Sequence, residues 1–369
     1  MSVATVEVDV AALLHNVNCF KRQAPHSQIW AIIKANAYGH GKTEVARFLQ
    51  KQVDGFGVAR LSEALELRSV GIIAPILLLE GFFPDEDITL LERYSLQTMI
   101  HSPEQIERLR ELKTSYPLNV WFKLDSGMHR LGFRPEQARH YFNLLAACPS
   151  VAKPINIASH FCCADELDNP YTTAQIQVFD DFIAAIDDPA LVGLQSLCAS
   201  SGLFGWQTAH RDIVRPGLVL YGISPFDYQI KDKATGAALG LLPVMTLKSM
   251  LIAVRDHKQG EGVGYGQTWR SPRDTRLGVI AMGYGDGYPR GVPADIPVMI
   301  NGQLLPIVGR IAMDMIVVDL GPDTSAQIGD EVIFWGPDLP VEKIAALSGM
   351  SAYELVVHLT SRAKLVYKF

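Results

Sequence analysis

The sequence predicts an α/β barrel followed by a mainly-β domain: an N-terminal (β/α)8 barrel of the TIM type over residues 1–230 and a C-terminal β-rich domain over residues 231–369. Three observations predict it. Short apolar runs alternate with segments of helical spacing about eight times in the first part. From about Lys231 the helical spacing gives way to strands separated by Gly-rich turns. The length, 369 residues, suits roughly two domains.

Taken in order, "IWAII" precedes a helix at "KTEVARFLQ", "GFGVA" precedes "SEALELRSV", and Gly71 stops that helix. "APILLLE" leads to "DEDITLLERY" and "SLQTMIH" to "PEQIERLRELK". "NVWFKLD" is followed by "PEQARHYFNLLAA" and "INIASHF" by "TAQIQVFDDFIAAI". "LQSLCAS" leads into a loop, and "IVRPGLVLYG" closes the series of eight strands. In the second part, "PVMTLKSMLIAV", "RLGVIAMGYG", "IPVMINGQLLPIVG", "MIVVDLG" and "EVIFWG" read as strands, with Asn301-Gly302 as a two-residue hairpin turn. Helices are expected at "PVEKIAALSG" and "AYELVVHL", and a last strand at "AKLVY". The first few residues are candidates for the β domain.

Composition narrows the function classes. Hydrophobic residues make up 48% and charged ones 20%, with a net charge of −6, which argues for a soluble globular protein and against a nucleic-acid partner. The start "MSVATVEVDV" has no basic segment ahead of an apolar one, and no apolar run reaches a membrane span, so no membrane partner and a cytoplasmic location are expected. Five cysteines without a C-x-x-C pair imply neither a disulfide framework nor a zinc site. Cys162 and Cys163 read as buried strand residues, and no metal is expected.

In barrels of this type the chemistry sits where the strands end. Lys34 ends the first strand, Lys123 the fifth and His160 the sixth; Ser200 follows the seventh, and Arg215 lies at the eighth. Any one of them alone is commonly a solvated surface group. Five on one rim mark a site. An amine that can form a Schiff base, a hydroxyl beside small residues and a guanidinium would together suit pyridoxal phosphate (PLP), and equally a sugar phosphate.

The motifs are more specific. "KANAYGHG" (Lys34 to Gly41) resembles the cofactor-lysine signature of alanine racemases, PLP enzymes built from an N-terminal barrel and a C-terminal β domain. "KLDSGMHRLGF", "SHF", "VRPGLVLYG", "GVGYG", "GYGDGYPR", "GRIAMDM" and "YEL" resemble that family in the same order, so the likeness spans nearly the whole chain. It implies that Lys34 holds PLP as an aldimine and acts as one catalytic base, with Tyr265 as the second. Two bases on opposite faces are what removal and return of an α-proton require. A tyrosine ordinarily titrates near ~10, and the resemblance puts Arg215 and His160 in a hydrogen-bonded network that lowers this. Arg215 would face the pyridine nitrogen; a guanidinium only donates, so that nitrogen stays unprotonated. Tyr38, Ser200, Tyr353 and the backbone N–H groups of Gly217 and Leu218 would hold the phosphate, with Arg130 near the phenolic oxygen. Lys123 is similar to a carbamylated lysine that steadies Arg130. Met313 and Asp314 would enter the neighbouring subunit's site in a homodimer with shared active sites. Asp165, Tyr284, Arg290 and Arg310 would line the entrance.

The resemblance thus implies interconversion of L- and D-alanine, supplying or consuming D-alanine for peptidoglycan. One departure stands out: Cys198-Ala199-Ser200 occupies a place where relatives often read Ser-Asn-Ser, so an amide beside the cofactor is absent. The competing readings are a racemase of serine or another small amino acid, a PLP-dependent decarboxylase and a non-catalytic PLP carrier. Decarboxylases of this plan usually carry an acidic residue at the pyridine nitrogen and a cysteine in the β domain, whereas this chain has no cysteine after Cys198. Carriers resemble the barrel alone and leave the β domain unexplained.

Overall fold

The computed structural model describes residues 4–369. Eight parallel strands form the first sheet, in the order Val192–Ser196, Ile155–Ala158, Val120–Lys123, Leu96–Ile100, Ile76–Leu78, Gly55–Val58, Gln28–Ile32 and Ile213–Val214. Strands such as "GFGV" and "ILL" are buried along their whole length, as expected where helices cover the outside and packed side chains fill the inside. The ring closes between its two end strands through Arg215 N–H to the Cys198 carbonyl (2.9 Å) and the Ser196 hydroxyl to the Ile213 carbonyl (2.7 Å).

A small core of Trp30, Leu77, Met99, Trp121, Ala158 and Ile213 is separate from the main one. Trp30 and Trp121 meet edge to face at 5.8 Å. Gly55 is required beside them, because a Cβ there would stand 2.7 Å from the Trp30 ring.

The helices largely follow the predicted positions, from Lys42–Leu49 to Tyr171–Ala184. Two features differ. The segment after the seventh strand, read as a loop, contains a short helix at Ser200–Gly205. The helix Val10–Gln23, capped by Asp9 Oδ1 on the Ala12 N–H (2.8 Å), was not read from the sequence. It carries the chain from one sheet to the other, since Thr5–Asp9 pairs antiparallel with Met245–His257 and parallel with Lys364–Lys368.

The second sheet also has eight strands: Thr275–Ile280, Ile316–Asp319, Gln303–Val308, Pro297–Ile300, Glu331–Trp335, Met245–His257, Thr5–Asp9 and Lys364–Lys368. Thr275–Ile280 pairs with Met245–His257 as well, so six of the strands close on themselves. The 13-residue strand Met245–His257 reaches so many partners because its register shifts between Leu247 and Lys248 and again between Leu251 and Ala253. Asn301-Gly302 forms the expected hairpin turn, both residues at positive φ, between Ile300 and its partner Gln303. No helix among the described residues is long and apolar enough to cross a membrane.

Candidate active site

A cavity of about 650 Å³ opens at the C-terminal ends of the barrel strands. Lys34, Tyr38, Lys123, Arg130, His160, Asp165, Ser200, Arg215, Gly217 and Tyr353 all line it. Ten of the sequence-predicted residues, from six segments of the chain, are therefore brought to one space.

Lys34 follows its strand directly, and the next four residues, Ala35 to Tyr38, all have φ between 51° and 54°. That is a turn of left-handed helix, which costs roughly 1–2 kcal/mol per residue for side chains with a Cβ. The surroundings over-determine it. Glu63 Oε1 accepts the Ala35 N–H (2.8 Å) and Asn36 Oδ1 accepts the Lys42 N–H (3.0 Å). The buried His40 Nδ1 faces two carbonyl oxygens, Ala37 at 3.0 Å and Tyr38 at 2.9 Å, so it must carry the proton. Burial pushes this imidazole down to about 4, keeping it neutral, and its ring stacks on Tyr221 at 4.2 Å. The turn aims Tyr38 into the cavity, with its ring 6.0 Å from that of Tyr353.

Arg215 is buried, and its guanidinium donates to the Ser196 hydroxyl, to the Ser159 carbonyl (2.8 Å) and to the Leu197 carbonyl (3.3 Å). Burial lowers it to about 10. Lys123 falls to about 7, first through burial and then through the positive charges of Arg215 and Arg130. Burial also pushes His160 well below its ordinary value, helped by Lys123, Arg215, Arg130 and Lys34. The cavity is thus a cationic cluster whose weaker members shed protons near neutral pH.

This has a testable consequence for stability. Lys123 holds its proton less firmly folded than unfolded, so stability rises with pH from about 7 toward the ordinary lysine range near ~10.4. In buffer free of carbon dioxide, denaturant unfolding followed across that window should have a slope that Lys123→Met flattens. An unchanged slope in the variant would rule out Lys123 as its source.

Ser200 accepts the Gly217 N–H (3.1 Å) and lies 3.5 Å from the Val219 N–H. A Cβ at Gly217 would stand 2.7 Å from the Tyr38 hydroxyl, so glycine keeps backbone and phenol in contact. The Gly217 N–H is accordingly turned toward Ser200. Leu218 is buried at the start of a 3-10 turn beside it and does not line the cavity. The Tyr353 hydroxyl is raised to about 12 by burial and the charge of Asp165.

Besides Leu218, six of the predicted residues do not line this cavity: Tyr265, Tyr284, Arg290, Arg310, Met313 and Asp314. All are exposed on the second domain, Tyr265 to 71% and Met313 to 52%. Several lie together. The Tyr284 turn bonds to the Met313 segment through Tyr284 N–H to Ala312 O (3.1 Å) and Gly285 N–H to Met313 O (2.8 Å). Arg310 lies against Gly266, next to Tyr265.

The sequence reading missed the polar layer behind Arg215. Ser126 and Ser159 share a hydrogen bond (2.7 Å), Gln175 Nε2 donates to the His160 carbonyl (3.1 Å), and Ser196 takes a bond from Arg215. The signal was there: Ser159 and Ser196 stand at strand ends in otherwise apolar runs. Cys162 and Cys163 correct another expectation. They lie beyond the end of the strand Ile155–Ala158, Cys162 exposed and Cys163 half-buried.

Models of known families agree with this architecture. Residues 8–225 match the N-terminal domain of alanine racemase and residues 244–367 its C-terminal domain. The chain belongs to the alanine racemase family. As a member it is an enzyme, an isomerase. It is 53% identical to the alanine racemase of Edwardsiella ictaluri over 367 residues, covering 100% of this chain and 99% of that one. It is 51% identical to the biosynthetic alanine racemase of Escherichia coli K12, with the same coverage. The crystal structure of biosynthetic alanine racemase from Pseudomonas aeruginosa superposes with a TM-score of 0.93 at 41% identity, covering 100% of both chains.

Proposed function

We propose that this enzyme interconverts L- and D-alanine with PLP as cofactor, as a homodimer in the cytoplasm, and that its D-alanine serves peptidoglycan. The observation that carries the reading is the convergence of Lys34, Arg215, His160, Ser200, Tyr38 and Tyr353 on one cavity in a chain of this family.

The residues fit the cofactor. An amine for the aldehyde, a guanidinium with no carboxylate partner among the described residues, and hydroxyls of Tyr38, Ser200 and Tyr353 beside the Gly217 backbone match an aldehyde, a ring nitrogen and a phosphate. PLP, when bound, supplies an electron sink that acidifies the α-proton of the amino acid attached to it. Lys34 removes or returns that proton on one face, and Tyr265 of the second subunit does so on the other. Arg215, a permanent donor, would face the pyridine nitrogen of PLP and keep it without a proton. His160, kept neutral by its surroundings, can accept a hydrogen bond and extend the network toward Tyr265. Arg130 and the Met313 N–H bind the substrate carboxylate with Asp314 beside them in the neighbouring subunit's site, and Asp165, Tyr284, Arg290 and Arg310 flank the approach. Lys123, a free amine near neutral pH, can add to carbon dioxide, and the resulting anion would sit between Arg130 and Arg215. Bicarbonate labelled with carbon-13 should give a carbamate resonance that Lys123→Met lacks.

The direct test is borohydride reduction of the purified enzyme followed by peptide mapping: the cofactor should be fixed on the peptide carrying Lys34. Attachment to any other lysine would overturn the assignment. A two-base arrangement also predicts asymmetry. In deuterated water, Tyr265→Phe should slow α-proton exchange of one enantiomer far more than of the other, whereas equal loss would mean a single base.

Substrate size follows from Tyr353, whose ring narrows the cavity beside Tyr38. A methyl group needs no partner there, whereas a serine hydroxyl left without one costs about 1–3 kcal/mol, roughly one to two decades in rate preference. Tyr353→Asn should shift kcat/KM toward L-serine. A wild type as fast on serine as on alanine would refute the substrate assignment, and an unchanged ratio in the variant would place the preference elsewhere.

A further inference from the structure

Beyond the strand Ile155–Ala158 the chain runs along the rim of the cavity, with Phe161, Ala164 and Asp165 lining it. Between them stand Cys162 and Cys163, their Sγ atoms 3.3 Å apart. The other three cysteines, Cys19, Cys148 and Cys198, are buried. This is the exposed thiol pair among the described residues, and the reaction makes no use of it.

What such a pair can bind follows from geometry. Neighbouring Cα atoms are held about 3.8 Å apart across a trans peptide, short of the roughly 4.4 Å lower limit of ordinary disulfides, and a disulfide would have to draw the sulfurs in to about 2.05 Å. A single larger thiophilic atom bridging both sulfurs needs no such contraction. It must also be content with two protein ligands, since among the described residues no group of three or more His, Cys, Asp or Glu could complete a metal site. A trivalent arsenic bearing one organic substituent meets both conditions, because it has two exchangeable positions.

We propose that Cys162 and Cys163 form a bidentate dithiol site for mono-substituted trivalent arsenicals at the rim of the active-site cavity, and that filling it inhibits the enzyme. The step balances without a change of oxidation state. Two S–H bonds and the arsenic–oxygen double bond break, two As–S bonds form, and the oxygen leaves as water with both thiol protons. Burial and the neighbouring Cys163 push the Cys162 thiol up to about 11, so it is protonated at neutral pH and its proton leaves with the arsenical's oxygen.

Inhibition follows from what Cys162 holds. Its N–H and its thiol both donate to Gln175 Oε1, at 3.0 and 3.3 Å. Gln175 Nε2 donates in turn to the His160 carbonyl (3.1 Å) and the Ser126 hydroxyl (3.3 Å), and Ser126 bonds to Ser159, whose carbonyl receives Arg215. An As–S bond removes the thiol donor at the outer end of this chain and sets a bulky group beside Asp165.

The test uses the purified holoenzyme and phenylarsine oxide. Intact mass should show one phenylarsenic per chain, formed with loss of one water, and racemase activity should fall in step with it. 2,3-Dimercaptopropanol should reverse both effects, and glutathione at the same thiol concentration should not. Cys163→Ser, which leaves the Cys162 thiol on Gln175 in place, should keep its basal activity and lose both the bridged adduct and the sensitivity, and the double variant Cys162→Ser/Cys163→Ser should lose the adduct. No adduct on the wild type, or one undiminished in the double variant, would overturn the site; an adduct with unchanged activity would overturn the inhibition. The mass readout does not depend on which reaction the enzyme runs, so failure here is distinguishable from failure of the proposed function.

Discussion

Lys34→Ala and Tyr265→Phe should each lose alanine racemisation by on the order of 10³-fold or more, since in the proposed mechanism each would remove a proton-transfer group and, for Lys34, the cofactor's covalent anchor as well. Mixed under subunit exchange, the two dead proteins should recover activity. The reason lies in where the residues stand: Lys34 lines the barrel cavity, whereas Tyr265 is 71% exposed on the other domain and is not among the residues lining that cavity. In the proposed two-fold dimer each site would take one barrel and one partner β domain, so a heterodimer would have one intact site and one doubly defective one. Random pairing at equal concentrations then gives about a quarter of wild-type activity. Hybrids that demonstrably form yet stay inactive would refute sites shared between subunits.

The same separation explains how much could be read in advance. The barrel strands were legible because most are short, largely buried apolar runs bounded by turn residues, although Val192–Ser196 is buried only at Ser196, and the lysine, histidine and arginine at their ends are conspicuous against such runs. The β domain was legible from strands separated by Gly-rich turns and from the Asn301-Gly302 hairpin, which stands where it was expected between Ile300 and Gln303. The left-handed turn after Lys34 was not. "ANAY" has no glycine, and its conformation is imposed by Glu63, Asn36 and His40 from outside local preference. The helix Val10–Gln23 was missed because Asn16 interrupts its apolar face; Asn16 is nevertheless buried, bonded to the Leu220 and Leu242 carbonyls. The thiol pair was misread because apolar continuity from "INIASHF" was extended past the point where the strand ends at Ala158.

Arg215→Glu should slow racemisation by on the order of 10²–10³-fold, the usual scale for removing a preorganised electrostatic group, and should add a long-wavelength absorbance in the presence of alanine. Three features of the site lead to this. The guanidinium is buried and held by neutral acceptors, the Ser196 hydroxyl and the Ser159 and Leu197 carbonyls, so its charge is not cancelled locally. Burial lowers it only to about 10, which leaves it a donor throughout the working pH range. With PLP bound as proposed, a carboxylate in its place would let the pyridine nitrogen keep a proton and so deepen the electron sink that the cofactor supplies. A buried carboxylate facing two carbonyl oxygens also risks destabilising the barrel, so Arg215→Lys is the companion variant. It keeps a positive donor but lacks the fork that reaches Ser196 and Ser159 together, so it should be slow without the new absorbance. If Arg215→Glu folds, racemises at the wild-type rate and absorbs as the wild type does, Arg215 does not govern the ring nitrogen; if Arg215→Lys gains the same absorbance, geometry and not charge is what Arg215 contributes.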